Sequence, residues 1–141
     1  MNTKTVILIS GKQGAGKSTL SSWLKEQLTL TGYEVKTERF ADDIYNLQDL
    51  IYDYMETVGF PRPPGFIKDG ILLQWLGSNW AKKIWGKDLW ARRFTDKISV
   101  FFNHLEFSKY VSPKFPGKVV INDDCRFEEE IDFLLENLPD N

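Results

Sequence analysis

The chain has 141 residues, of which 42% are hydrophobic, 27% charged and 14% aromatic. That length suits one domain with a real core, burying about two-thirds of its unfolded surface. A formal net charge of −2 gives no electrostatic footprint for a long nucleic acid. Small phosphorylated ligands stay open, because they need only a local cluster of cations.

Cys125 is the only cysteine, so no internal disulfide can form and a reducing, cytoplasmic setting is expected. The first apolar run, Val6 to Ile9, is too short for a signal peptide or a membrane span. No membrane partner is therefore expected, and a homodimer is left open.

In chain order, Thr5-Val6-Ile7-Leu8-Ile9 reads as a strand buried on both faces, ending in Ser10-Gly11. Leu20, Trp23, Leu24 and Leu28 then recur at helical spacing until Thr31-Gly32 stops the helix. Glu34 to Phe40 alternates, as a half-exposed strand at a sheet edge does. Asp42 or Asp43 can cap a helix reaching about Thr57. Gly59 to Gly65 is a stiff proline-rich connector, not a domain linker, since helical pattern resumes at once.

Ile67, Ile71, Leu72, Trp75, Leu76 and Trp80 mark one helix face, and a second helix capped near Asp88 carries Trp90, Phe94, Ile98, Phe101, Phe102 and Leu105. Ser112 to Gly117 reads as a turn. Val119-Val120-Ile121 is a second continuous apolar strand, closed by Asn122-Asp123-Asp124, and a last helix covers about Phe127 to Leu138. Strands alternating with helices predict an α/β fold with a parallel sheet.

Gly11-Lys12-Gln13-Gly14-Ala15-Gly16-Lys17-Ser18 satisfies the phosphate-binding pattern G-x-x-x-x-G-K-[ST], and Thr19 extends it. Glycines let consecutive N–H groups converge on one anion at a helix N-terminus. Lys17 would reach the β- and γ-phosphates of a nucleoside triphosphate, and the Ser18 hydroxyl would ligate Mg²⁺. A chance match in a chain this long is roughly a one-in-a-few-hundred event. The flanking strand and helix make it rarer still.

Such a loop needs a carboxylate across from it, at the end of a neighbouring buried strand. Asp123 and Asp124 are both candidates, with a helix cap or turn as the bland reading of Asp123. Arg126 adds a cation that could meet a substrate phosphate. Cys125 reads as a packing residue, because the sole histidine, His104, lies mid-helix and offers it no partner. Glu128-Glu129-Glu130 reads as a solvated acidic first turn.

Gly14-Ala15-Gly16-Lys17-Ser18-Thr19, Arg39-Phe40-Ala41-Asp42, Leu72-Leu73-Gln74-Trp75-Leu76-Gly77, Asp88-Leu89-Trp90 and Asp124-Cys125-Arg126-Phe127 occur in that order. This set resembles the phage-type deoxynucleoside monophosphate kinases, of the adenylate-kinase-like group of P-loop kinases, from the N-terminus to about Leu135.

The resemblance implies transfer of the ATP γ-phosphoryl group to a deoxynucleoside 5′-monophosphate, with ATP and Mg²⁺ as cofactors. It also implies a host-cell cytoplasm if the chain is phage-encoded. Residues Gly11, Gln13, Gly14, Ala15, Gly16, Lys17, Ser18 and Thr19 would hold the ATP phosphates. Arg39, Phe40, Asp42, Gln74, Trp75 and Arg93 would hold the acceptor. Lys17, Asp124 and Arg126 would be catalytic, with Ser18 and either Asp123 or Asp124 on the metal.

The residues themselves leave several of these roles open. Trp75 and Trp90 lie on apolar stripes where core packing is the competing reading, and Gln74 could be a surface residue. Arg62 is a further cation, and of Arg92 and Arg93, adjacent on a helix, at most one is expected to face a cleft. An acceptor such as phosphomevalonate, or a nucleotide-binding module with slow hydrolysis, would use the same phosphate loop. The Asn-Lys-x-Asp motif of GTPases is absent.

The expected domain is one P-loop kinase unit over 1–141, three-layered α/β/α, with an acceptor-binding helical insertion at about 42–110. The family sheet order is 2-3-1-4-5, with the loop-bearing strand central. Only three strands are legible here, so the chain reads as an N-terminal portion of a longer protein, or as one whose sheet another chain completes, with the lid and strands 4 and 5 beyond it.

Overall fold

A computed structural model describes residues 3–12, 14–104 and 116–138. Gln13, Leu105 and residues 112–115 of the expected turn lie outside the described residues. The chain divides into two compact units. One comprises Met1–Phe40 with Trp90–Asn141, and the other Ala41–Leu89. The insertion expected at about 42–110 is thus divided, its last helix belonging almost wholly with the sheet.

The sheet unit contains β1 (Thr3–Ser10), β2 (Glu34–Thr37) and β3 (Gly117–Cys125), all parallel, in the order β1-β3-β2. β3 is therefore the central strand. From Gly117 to Cys125 every residue but Asp124 is buried, as a strand covered on both faces requires.

The same expectation for β1 does not hold. It pairs with β3 alone among the described strands, and only Ile9 is buried, with Val6, Ile7 and Leu8 half-covered. An apolar run records a preference for cover but not which neighbours supply it. β2 has the edge position and partial exposure its alternation predicts.

Alternation along the strands divides the packing. Ile9, Val119 and Ile121 form a cluster with Ile7, Val35, Tyr33 and two residues of α1 (Lys17–Leu30), Leu24 and Leu28. Leu20 and Trp23, expected on that buried face, are exposed.

The opposite side chains face α5 (Leu89–Asn103): Lys97 pairs with Glu38 at 3.1 Å, and buried Lys118 donates to the Phe101 and His104 carbonyls at 2.5 and 2.8 Å. Trp90, Phe94 and Ile98 are buried along α5 as its spacing predicts, with Phe94 stacked at a tilt on Phe40, ring centroids 4.7 Å apart. His104 lies just beyond the end of α5 rather than within it. Helix α6 (Glu128–Asn137) buries Glu130 and Leu134.

The helical unit holds α2 (Asp42–Thr57), α3 (Gly70–Gln74), a π-helical segment (Trp75–Trp80) and α4 (Ala81–Trp85). Ala41, not an aspartate, takes the N-cap position of α2, and Asp42 and Asp43 fill its first turn, where they suit the helix dipole. Gln48 is fully buried: its amide donates to the Ile67 carbonyl at 3.1 Å and accepts from the Asp69 N–H at 2.7 Å, tying the connector to α2.

The continuous helix face expected from Ile67 to Trp80 is broken. Leu76 is buried as expected, but Ile67, Ile71 and Trp75 are exposed, and Gly77 and Ala81, off the expected face, are buried. The wider i→i+5 turn shifts the phase of the buried positions. It also aligns tryptophans five apart: Trp75 stacks on Trp80 (6.1 Å, 11°) and Trp80 meets Trp85 edge-on (5.4 Å).

Candidate functional site

Three parallel strands deliver three segments to the carboxyl end of one sheet, the end where open α/β sheets bind ligands. After β1 comes the glycine loop. Gly14 and Gly16 have φ of 81° and 91°, in the left-handed region that L side chains rarely enter. Gly16 is the N-cap of α1; it has no side-chain cap, and the first turn carries no acidic residue. The leading N–H groups of α1 thus end in a loop shaped for an anion.

Lys17 Nζ bonds back to the Gly11 carbonyl at 2.6 Å, which places the ammonium over the loop. Ser18 and Thr19 are exposed in the first turn.

After β2 come Arg39 and Phe40, and at the end of β3 come Asp123 and Asp124. The Arg39 guanidinium grips Asp123 with both prongs, Nε to Oδ1 at 2.6 Å and Nη2 to Oδ2 at 3.0 Å. The Phe40 N–H donates to Asp124 Oδ1 at 2.9 Å, and the Asn122 amide donates to the same oxygen at 2.9 Å. Asn122, fully buried, also donates to the Glu38 carbonyl at 3.0 Å. The ends of β2 and β3 are therefore knitted by four hydrogen bonds from three successive β3 residues.

A register slip falls at the two consecutive aspartates. Leu8 pairs with Asn122 and Ser10 with Cys125, so two steps along β1 oppose three along β3. The extra residue falls among Asp123 and Asp124. Such bulges re-aim side chains that regular alternation would send to opposite faces.

The electrostatics follow the contacts. Asp123 is held below the usual carboxylate range, chiefly by the Arg39 hydrogen bond; burial opposes this, and the Lys17 charge adds to it. Asp123 thus lies within the electrostatic reach of the phosphate-loop lysine. Burial, with Glu130 and Asp124, pushes the Cys125 thiol up to about 11, which suits a packing residue and not a nucleophile.

Glu130 corrects the solvated reading of the acidic run. Glu128 and Glu129 are exposed, but Glu130 is buried, and its Oε1 accepts from the Arg126 and Phe127 N–H groups at 3.0 and 2.9 Å. This is the glutamate half of a capping box. Phenylalanine at the N-cap hides it, because the sequence signal is a serine or threonine there.

The expected site residues fall into two sets. Lys17, Arg39, Phe40, Asp123 and Asp124 are linked at one end of the sheet unit, and exposed Arg126 follows directly. Arg92 and Arg93 are both exposed on α5 of the same unit. Asp42, Gln74 and Trp75 belong to the helical unit, Gln74 and Trp75 exposed where α3 meets the π-helical segment. Arg62 is engaged within that unit, paired with Asp49 at 2.9 Å and lying over the Tyr52 ring.

Asn122 was not among the expected site residues; a buried asparagine at a strand end is the one signal that could have pointed to it. Among the described residues no group of three His, Cys, Asp or Glu side chains forms a metal cage. No described helix is long and apolar enough to cross a membrane. Comparison with protein-family models, curated proteins and solved structures found no match to this chain.

Proposed function

We propose that the chain binds ATP with Mg²⁺ at Gly11–Ser18 and transfers the γ-phosphoryl group to a deoxynucleoside 5′-monophosphate, as a P-loop kinase of the nucleoside monophosphate kinase type. The observation that carries this reading is the pairing of an uncapped helix N-terminus, preceded by left-handed Gly14 and Gly16, with aspartates on the adjacent parallel strand. The Lys17 ammonium is bonded to the Gly11 carbonyl of the loop, and its charge reaches Asp123.

The donor set fits Mg²⁺. This ion takes one or two carboxylates together with substrate phosphates, not an all-protein cage, and Ser18 with a strand-end aspartate meets that need. When bound, it would neutralise charge on the β- and γ-phosphates.

The chain's own residues would bind and orient. Backbone N–H groups of the loop and Lys17 hold the triphosphate, and Arg39 holds the acceptor phosphate. An acceptor phosphate oxygen attacks the γ-phosphorus, the bond to the β,γ-bridging oxygen breaks, and ADP leaves with that oxygen. Arg126 offsets charge on the moving group. Positioning and charge stabilisation carry such a transfer, with little covalent work for the protein.

The test is ADP release from ATP with dGMP, dTMP, dCMP, phosphomevalonate and no acceptor. Stimulation by a deoxynucleotide supports the reading; turnover indifferent to acceptor would assign slow hydrolysis instead. Lys17→Ala should abolish nucleotide binding or turnover in a folded protein, and wild-type affinity and rate in that variant would sink the phosphate site.

A further inference from the structure

Helix α2 carries one apolar stripe, and only its first half is covered. Ile44, Leu47, Ile51, Tyr54, Met55 and Val58 recur at steps of three and four, the spacing of one helix face. At the N-terminal end that face is closed over. A Cβ built on buried Gly77 would stand 2.9 Å from Ile44 Cδ1, so the π-helical segment lies directly against it.

From Leu50 onward the cover ends while the stripe continues. Ile51, Met55 and Val58 are exposed, and Leu50 and Tyr54 beside them are 65% and 66% exposed. Phe60, tied by its N–H to the Met55 carbonyl at 2.9 Å, adds a further exposed ring just past the helix end. Six large apolar side chains gathered at one end of one helix form the kind of patch that marks an interaction surface. Its spacing is what another amphipathic helix packs against.

Charge selects the partner. All five charged residues of α2 are acidic: Asp42, Asp43, Asp49, Asp53 and Glu56. Asp42 and Asp43 stand in the first turn, where the helix dipole favours them. Glu56 stands in the last turn, where the dipole opposes it and no basic residue is present. Asp49 is paired with Arg62, but exposed Asp53 and Glu56 form no ion pair among the described residues.

A second copy packed α2 on α2 would set acid against acid, and a bilayer of anionic lipid would repel the same helix. A helix with lysine or arginine beside an apolar stripe instead satisfies the patch, Asp53, Glu56 and the C-terminal dipole together. We infer that the C-terminal half of α2 is a docking surface for a basic amphipathic helix of another protein.

The probe is a fluorescent amphipathic helix built of leucine and lysine, titrated with the full chain and followed by anisotropy. The same peptide with glutamate in place of lysine is the control. The lysine peptide should bind in the micromolar range and the glutamate peptide about tenfold more weakly or worse. Leu50→Ser with Tyr54→Ser, both at exposed positions, should weaken lysine-peptide binding about tenfold or more.

Asp53→Lys with Glu56→Lys keeps the stripe and gives the last turn the charge its dipole favours, so the fold should persist. It should weaken the lysine peptide about tenfold and strengthen the glutamate peptide, and it decides the matter if the serine variant fails to fold. Asp132→Lys with Glu136→Lys, at exposed positions of α6, makes the same change in net charge and should leave affinity within twofold.

The inference is overturned if neither peptide binds, if the glutamate peptide binds as tightly, or if a folded serine variant binds as wild type does. It is equally overturned if the α6 reversal costs as much as the α2 reversal. Dimerisation seen by light scattering and lost in the serine variant would assign the face to a second copy. Flotation with phosphatidylserine vesicles, lost in that variant, would assign it to a lipid surface. Either result replaces the basic helix as the occupant.

Discussion

Gly16→Ala isolates the backbone term of the phosphate loop. A Cβ built on Gly16 meets nothing within 4 Å, so its cost is conformational and not a clash. At φ 91° an L-residue pays about 1–2 kcal/mol, the penalty of the left-handed region. For a chain of this length that lowers the thermal midpoint by about 3–10 °C.

Gly11→Ala is the internal control. Its φ is not positive, and its Cβ would make ordinary contacts at 3.6–3.7 Å with Ala15 and Lys17. Its midpoint should move by less than about 0.5 kcal/mol equivalent.

The assay is thermal unfolding with and without MgATP. At a hundred times Kd, ligand adds about 2.7 kcal/mol to wild-type stability, a rise of roughly 10 °C. If Gly16→Ala relieves its strain by rotating to negative φ, the leading N–H groups turn away and most of that rise disappears. A Gly16→Ala protein with the wild-type midpoint and the full MgATP shift would refute the reasoning. So would Gly11→Ala being the less stable variant without ligand.

Three further outcomes follow from two residues. Gly117→Ala should be among the most destabilising changes in the sheet, because φ is 143° and the new Cβ would collide with the Thr3 backbone of β1; denaturant midpoints check this, and a loss below about 1 kcal/mol contradicts it. The Cys125 thiol, at about 11, should alkylate at pH 8 roughly two hundred times more slowly than an ordinary thiol on ionisation alone, and iodoacetamide kinetics measure this. Because its folded value lies above the unfolded one, its contribution to stability is complete below about pH 8.5 and declines as pH rises towards 11, a slope that Cys125→Ala should lack.

The strand, loop and helix around Gly11–Ser18 were legible because their signals are local. A strand, a glycine loop and a helix lie consecutively in the chain, so the motif and its secondary structure are one stretch, and of the pattern's two fixed glycines Gly16 is left-handed and Gly11 is not. The stripe of α5 at Trp90, Phe94 and Ile98 was legible for the same reason: period fixes a face. The helical unit defeated that logic: of the expected stripe Leu76 is buried, but Ile71 and Trp75 are exposed, and the buried positions continue at Gly77 and Ala81 through a widened turn. No residue type announces it. Glu130 was misread because its capping role depends on which N–H groups point towards it, and a run of glutamates looks the same whether solvated or buried.

Sequence by itself determined the glycine loop at Gly11–Ser18, the alternation of strands and helices, and the presence of two aspartates at the end of β3. These rest on chain-local spacing and backbone preference. The strand order agrees with the expected 2-3-1, and tertiary structure decided how much cover each strand receives: β3 is buried along its length, whereas β1 has one neighbour among the described strands, because cover depends on neighbours distant in the chain. It also gave Asp123 and Asp124 different partners. A one-residue slip in the pairing of β1 with β3 falls at these two residues, and only folding sets the Arg39 guanidinium against the first and the Phe40 N–H against the second.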